Sequence, residues 1–179
     1  VANGLYENCP NDEAHELFQL PDFISKMMEN KWLGSKTGQG FYKKEGKEIL
    51  SLDLNTLEYR AAKKASFATL ELTKTIDKPI DRFKILVNGK DKAGEFYRKN
   101  FAAMFAYCSN RIPEISDDFY TIDDAMKAGF GWENGPFEIW DAIGVEKGIE
   151  LMKTEGYAPA AWVNEMVAAG STHFYTVNE

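Results

Sequence analysis

"IDDAMKAGFGWENGPFEIWDAIG", residues 122–144, holds two short amphipathic runs divided by glycines and one proline. Thr121 stands where it can cap the first run, with Asp124 three residues on as a short version of a capping box. Gly129 is placed as the C′ residue that ends that run, and Gly131 permits a close turn. Pro136 sets the first φ of the second helix, which Gly144 closes. Trp132, Phe137 and Trp140 read as core aromatics. Glu138 and Asp141 share one helix face at i,i+3 spacing and read as a solvated face or as partners of Arg111.

The same punctuation recurs on both sides. "VEKGIELMKTEG" (145–156) ends at a glycine, and "PAAWVNEMVAAG" (159–170) opens on proline and closes on glycine. Upstream, "AGEFYRKNFAAMFAYCSNR" (93–111) carries Tyr97, Phe101, Met104, Phe105 and Cys108 at i, i+4, i+7, i+8 and i+11. That is one wide apolar stripe, the mark of a helix packed on a core. "DKPIDRFKILVNG" (77–89) reads as a helix stopped at Asn88-Gly89. "RAAKKASFATLELTKT" (60–75) reads as another, with Phe67 and Leu70 inward. "LPDFISKMMENKW" (20–32) places Phe23 with Met27 and Ile24 with Met28 on shared faces. Strands are expected only around residues 40–54, as a short hairpin turning at Glu45-Gly46. The fold class is therefore all-α, a helical bundle with a small β-hairpin.

Composition narrows the function. The chain has 179 residues, 44% of them hydrophobic, with a formal charge of −7. An acidic surface with no basic cluster is a poor partner for nucleic acid or anionic membrane, and no apolar run approaches the roughly 20 residues of a membrane span. Cys9 and Cys108 lie in unlike settings and do not suggest a disulfide framework, so a reducing cytoplasmic compartment is expected. His15 and His173 have no clustered partners at ligand spacing, so no metal site is expected.

Gly38-Gln39-Gly40, within "WLGSKTGQGFYKKEGKE" (32–48), raises the question of a nucleotide loop. A dinucleotide fingerprint needs a strand before it, a third glycine three residues on and a helix after it. Here Lys43 holds the third position and a hairpin follows, so the glycines read as a tight turn. "PDFISKMMENKWLGSKTGQGFYKKEG" (21–46) and "PAAWVNEMVAAGSTHFYTVNE" (159–179) share a proline-started helix, a glycine turn and an aromatic pair, Phe41-Tyr42 or Phe174-Tyr175. They read as a diverged internal repeat. On that reading residues 1–44 are the end of a first helical repeat, 45–62 a connector and 63–179 a second repeat. An apolar face near Phe23, Met27 and Trp32 should then stay uncovered, so that either the second repeat packs on it or two chains pair through it as a homodimer.

Three stretches together resemble the C-terminal helical domain of L-3-hydroxyacyl-CoA dehydrogenases. "WLGSKTGQGFYKK" is similar to that domain's closing turn, "CSNRIPEI" to its Asn-Arg helix, and residues 122–144 to its central helix-turn-helix. The tail of one copy followed by a whole second copy resembles the multifunctional proteins of fatty-acid beta-oxidation. The resemblance implies a parent enzyme that oxidises L-3-hydroxyacyl-CoA with NAD. It also implies an upstream dinucleotide-binding domain that supplies the Gly-rich loop and the catalytic His and Glu, and a fused enoyl-CoA hydratase domain. It implies that Asn110 matches the family's catalytic Asn, here as a vestige in the second copy, and that Arg111 is a candidate acyl-CoA contact. Read from the residues alone, Asn110 and Arg111 form a structural polar pair, with Arg111 bound to Glu114 or Asp117. The chain by itself is expected to bind no NAD. The competing expectation is a non-catalytic helical dimerisation or binding module.

Overall fold

The computed structural model describes residues 1–176, and the end of the second repeat stretch, 177–179, lies outside them. The described residues form two compact units, 1–65 and 66 onward.

The first unit opens with α1 (Ala2–Asn8) and α2 (Asp22–Glu29), followed by strands β1 (Tyr42–Glu45), β2 (Glu48–Leu52) and β3 (Tyr59–Ala61). The three strands form one antiparallel sheet in the order β1-β2-β3, with Tyr42 opposite Ser51 and Leu52 opposite Tyr59. Gly46, at φ 61°, makes the β1–β2 turn that an L side chain would strain. Residues 45–62 thus supply two of the three strands. The apolar face expected to lie open is covered only in part, since Met28, Leu33 and Phe41 stay exposed beside it. Met27 is buried, Trp32 packs on Tyr59 at 5.7 Å between ring centroids, and Phe23 meets the edge of Phe41 at 6.4 Å.

The helix expected over 60–75 is much shorter. Residues 59–61 are taken by β3, where the Tyr59 hydroxyl donates to the Gly40 carbonyl at 2.6 Å. The Ala-Ala-Lys-Lys-Ala run that follows offers no apolar stripe to bury, so propensity alone does not hold it helical. Helix α3 is only Ala68–Thr73, and it buries Thr69 and Thr73 most deeply, with Phe67 and Leu70 half-buried.

The rest of the second unit follows the proline–glycine punctuation. Helix α4 (Pro79–Asn88) leads to α5 (Lys92–Asn110), the long central helix. Then come α6 (Phe119–Phe130), α7 (Pro136–Ile143), α8 (Val145–Thr154) and α9 (Ala161–Ala168). The α5 stripe buries Phe101 and Phe105 against α4, α7 and α8. Phe105 stacks on Trp140 at 4.8 Å, and Phe174, from the segment after α9, packs on Trp140 at 4.9 Å and Phe137 at 5.0 Å. Burying each of these large side chains contributes about 2–3 kcal/mol. Close approaches require glycine at several positions, among them Gly148, where a Cβ would run into the Trp140 indole nitrogen, and Gly135, where it would run into the Asp123 side chain.

Candidate functional site

The expected site residues sit at the end of α5. Asn110 is its last residue, partly buried and engaged in an interaction within the fold. Arg111 caps the helix, its amide donating to the carbonyls of Tyr107 and Cys108 at 3.2 Å. Its guanidinium lies over the Tyr107 ring at 4.8 Å and pairs with Glu114 at 2.7 Å. Next to them, Ser109 ties α5 to α9. Its fully buried hydroxyl donates to the Ala106 carbonyl and accepts the Ala160 amide at 3.1 Å, and its carbonyl accepts the Trp162 indole N–H at 3.0 Å. Burial, with the nearby Asp123 carboxylate adding to it, pushes the Cys108 thiol up to about 12. It therefore stays protonated and is no nucleophile at neutral pH.

A dense polar cluster lies one helix further on, in the stretch 122–144. Helix α7 begins after Gly135, which has no side chain to cap it. Asp123, reaching across from α6, supplies the cap: its fully buried carboxylate accepts the Phe137 amide at 2.8 Å and the Glu138 amide at 2.9 Å. The Tyr175 hydroxyl donates to the same carboxylate at 2.9 Å. Asp141, a turn further along α7, accepts the amides of Phe174 and Tyr175 at 2.8 and 2.9 Å. The two acids clasp the segment after α9 onto α6 and α7. Burial pushes both carboxyls up from the ordinary aspartate value, and the donated hydrogen bonds pull against that rise. Burial and the Asp123 carboxylate raise the Tyr175 hydroxyl as well.

Several expected roles change here. The cap of α6 is Asp118, which accepts the Thr121 amide at 2.8 Å, because Phe119 and Tyr120 already belong to the helix. Gly129 lies inside α6, and Gly131, at φ 66°, ends it. Trp132 is 38% exposed at the turn, so it is no core residue, whereas Phe137 and Trp140 are fully buried. Glu138 and Asp141 are neither a solvated pair nor partners of Arg111. Glu138 accepts the Gly135 amide at 2.9 Å and Lys127 at 2.8 Å, and Asp141 holds the C-terminal segment. The bonds in the clasp are spent on holding backbone in place, so it can position structure but offers no open base or nucleophile.

The Gly38-Gln39-Gly40 turn is closed upon itself. The Gly38 amide donates to the Ser35 carbonyl, Gly40 to Tyr42, and Gly34 to Gln39. A phosphate cradle needs such amides free and a βαβ context, and the sheet here is antiparallel. This turn therefore does not fit a dinucleotide phosphate. Among the described residues, no group of three His, Cys, Asp or Glu side chains could hold a metal ion, and no helix is long and apolar enough to cross a membrane.

Residues 101–175 match the family profile of the 3-hydroxyacyl-CoA dehydrogenase C-terminal domain. The chain is 41% identical over 175 residues to a Bacillus subtilis (strain 168) protein named "Probable 3-hydroxyacyl-CoA dehydrogenase", covering 98% of this chain and 22% of that protein. It is 26% identical over 171 residues to the "Fatty acid oxidation complex subunit alpha" of Psychrobacter cryohalolentis, covering 87% of this chain and 21% of that protein. The chain spans about a fifth of the length of these curated relatives. No solved structure matches it. The matched segment contains Asn110, Arg111 and the whole clasp from Asp123 to Tyr175.

Proposed function

We propose that this chain, whose residues 101–175 match the 3-hydroxyacyl-CoA dehydrogenase C-terminal domain, serves as the helical part of an enzyme that oxidises L-3-hydroxyacyl-CoA to 3-oxoacyl-CoA in fatty-acid beta-oxidation. The observation that carries this reading is the match over 98% of the chain to a relative bearing that name. NAD accepts the hydride in such a reaction. In our reading an upstream dinucleotide-binding domain of the parent holds it, together with the base that takes the hydroxyl proton.

The chain's own task is positional. The α6–α7 clasp and the aromatic core around Trp140 make a rigid wall, and a rigid wall can hold a thioester substrate in register with a cofactor bound elsewhere. Within that wall Asn110 is a vestige of the family's catalytic Asn that now supports packing. Arg111 is held by Tyr107 and Glu114, which leaves it at most an indirect role toward acyl-CoA. The chain is read as the end of one repeat (1–44), a connector (45–62) and a second repeat (63–179), within a cytoplasmic multifunctional protein that also carries an enoyl-CoA hydratase domain.

Two measurements test this. Full-length parent protein should reduce NAD in the presence of a 3-hydroxyacyl-CoA, and a parent without that activity refutes the reading. Calorimetry of the 1–179 chain with NAD and with NADH should show no binding, and micromolar affinity for either overturns the assignment of the cofactor to another domain.

A further inference from the structure

The turn between β2 and β3 holds itself together. The Asp53 carboxylate accepts the Asn55 and Thr56 amides at 3.0 and 3.4 Å and the Arg60 Nε–H at 3.0 Å. The Asp53 amide donates to the Glu58 carbonyl at 2.9 Å, and the Leu57 amide to the Asp53 carbonyl at 2.8 Å. The last residue of such a turn takes a left-handed conformation, where glycine or asparagine is the ordinary occupant. Here it is Leu57, at φ 59°. A bulky side chain in that region is strained. None of the turn's hydrogen bonds needs it, because the Leu57 amide and carbonyl would stand the same way in a glycine.

What the leucine adds is a wall. Leu57 and Leu54 face Phe23 of α2 across a cavity of about 300 Å³, with Asp22, Lys26 and Asn55 at its edge. That size is at the lower end of small-molecule pockets. Asp22 and Lys26 stand one turn apart on α2, and Asn55 lies on the turn opposite. Among the described residues, neither the Asp22 carboxylate, the Lys26 ammonium nor the Asn55 side-chain amide has a hydrogen-bond or ion-pair partner. Strain kept in the wall of a cavity whose polar edge is unpaired points to a ligand.

The edge also selects the ligand's chemistry. One acid and one base cancel, so a phosphate or a free fatty carboxylate would gain from Lys26 and lose to Asp22. A neutral secondary amide suits both: its N–H donates to Asp22 and its carbonyl accepts from Lys26, while Asn55 can do either. The three apolar residues suit a short branched aliphatic group beside that amide. We propose that this cavity holds the pantetheine arm of a coenzyme A thioester, with an amide between Asp22 and Lys26 and the dimethyl group against Leu54 and Leu57. The identity of the ligand rests on the acyl-CoA reading above, and the cavity itself does not.

Titration of the isotope-labelled 1–179 chain with pantetheine, followed by NMR of the leucine methyl and asparagine side-chain signals, tests it. Saturable shifts of Leu54, Leu57 and Asn55 are expected, with a Kd of about 1 mM or below. Leu57→Gly should weaken binding about tenfold or more while its urea midpoint holds or rises. The double variant Asp22→Asn, Lys26→Gln leaves the turn untouched and should weaken binding similarly. Signals that stay still up to about 10 mM pantetheine overturn the proposal. So do shifts with coenzyme A that ADP reproduces and pantetheine does not, which would make the nucleotide the ligand. A Leu57→Gly chain that binds as well as wild type overturns it too. So does one with a lower urea midpoint, because the leucine would then be kept for packing. A parent that oxidises 3-hydroxyacyl-CoA while this cavity is silent sinks the inference alone. An inactive parent whose cavity binds pantetheine sinks the catalytic reading alone.

Discussion

Replacing Asp123 by alanine should cost the second unit about 4 kcal/mol, and the figure can be built up from its partners. The change strands the Phe137 and Glu138 amides, now 2.8 and 2.9 Å from the carboxylate, in the first turn of α7. A buried donor left without an acceptor costs about 1–3 kcal/mol, and Phe137 is fully buried, so water cannot reach its amide without opening the core. The Tyr175 hydroxyl, only partly buried, adds about 1 kcal/mol or less. Against a total of about 5–15 kcal/mol for a domain this is a large fraction. Asp123→Asn keeps one acceptor oxygen but turns an N–H group toward the second amide, so it should cost about 2 kcal/mol. Tyr175→Phe removes one donor and leaves both amides capped, so about 1 kcal/mol is expected. Urea unfolding of the 1–179 chain, read by tryptophan fluorescence since Trp140 packs on Phe137, gives all three values. If Asp123→Ala unfolds within 1 kcal/mol of wild type at unchanged slope, the cap is not what holds α7.

Other perturbations follow from the same geometry. Asp91 accepts the Thr69 and Gly94 amides, and these hold its carboxyl below the ordinary value. Its contribution is thus full above the unfolded carboxyl pKa of about 3.9 and lost as pH falls through the lower folded value. The gap in urea midpoint between wild type and Asp91→Asn should close on acidification, and a widening gap contradicts the sign. Gly148→Ala would stabilise an exposed helix by about 1 kcal/mol. Here the added methyl meets the Trp140 indole nitrogen, which donates to the Val145 carbonyl, so a loss of about 2 kcal/mol is expected instead. Asn110→Ala in the full-length parent should lower stability by about 1 kcal/mol and leave kcat almost unchanged. A turnover collapse at constant Tm would show that Asn110 touches the reacting centre.

Helix positions were legible in the sequence where proline and glycine bracket an apolar period, as in α4, α7 and α9, and where the apolar stripe is long, as in α5. They were not where a run had good propensity but nothing to bury, as at residues 60–67. The clasp escaped because its contacts join residues 14 to 52 positions apart, which no local period records. One signal was available. Asp123 lies in the stripe Phe119, Ile122, Asp123, Met126, and Asp141 in Phe137, Trp140, Asp141, Gly144. An acid at an inward position must find donors, and the nearby glycine N-cap of α7 offers them. Asn110 and Arg111 were located correctly at the end of a helix, and the pairing of Arg111 with Glu114 was readable from their i,i+3 spacing.

Two helices take their caps from elsewhere in the chain: Asp91 serves α3 as well as its own α5, and Asp123 serves α7. With six and eight residues, α3 and α7 are shorter than the roughly 12–15 that an isolated helix needs to persist in water. Neither can wait for its neighbours in finished form. Each gains its cap only when the partner helix arrives, so secondary and tertiary structure must appear in one step there. Since α5 and α6 carry their own caps at Asp91 and Asp118, φ-values in them should exceed those in α3 and α7. A polypeptide emerging from the ribosome past residue 143 but short of residue 175 would already have α7 capped while its aromatic pocket still lacked Phe174. In that interval the pocket beside Phe137 and Trp140 stands open to another aromatic segment.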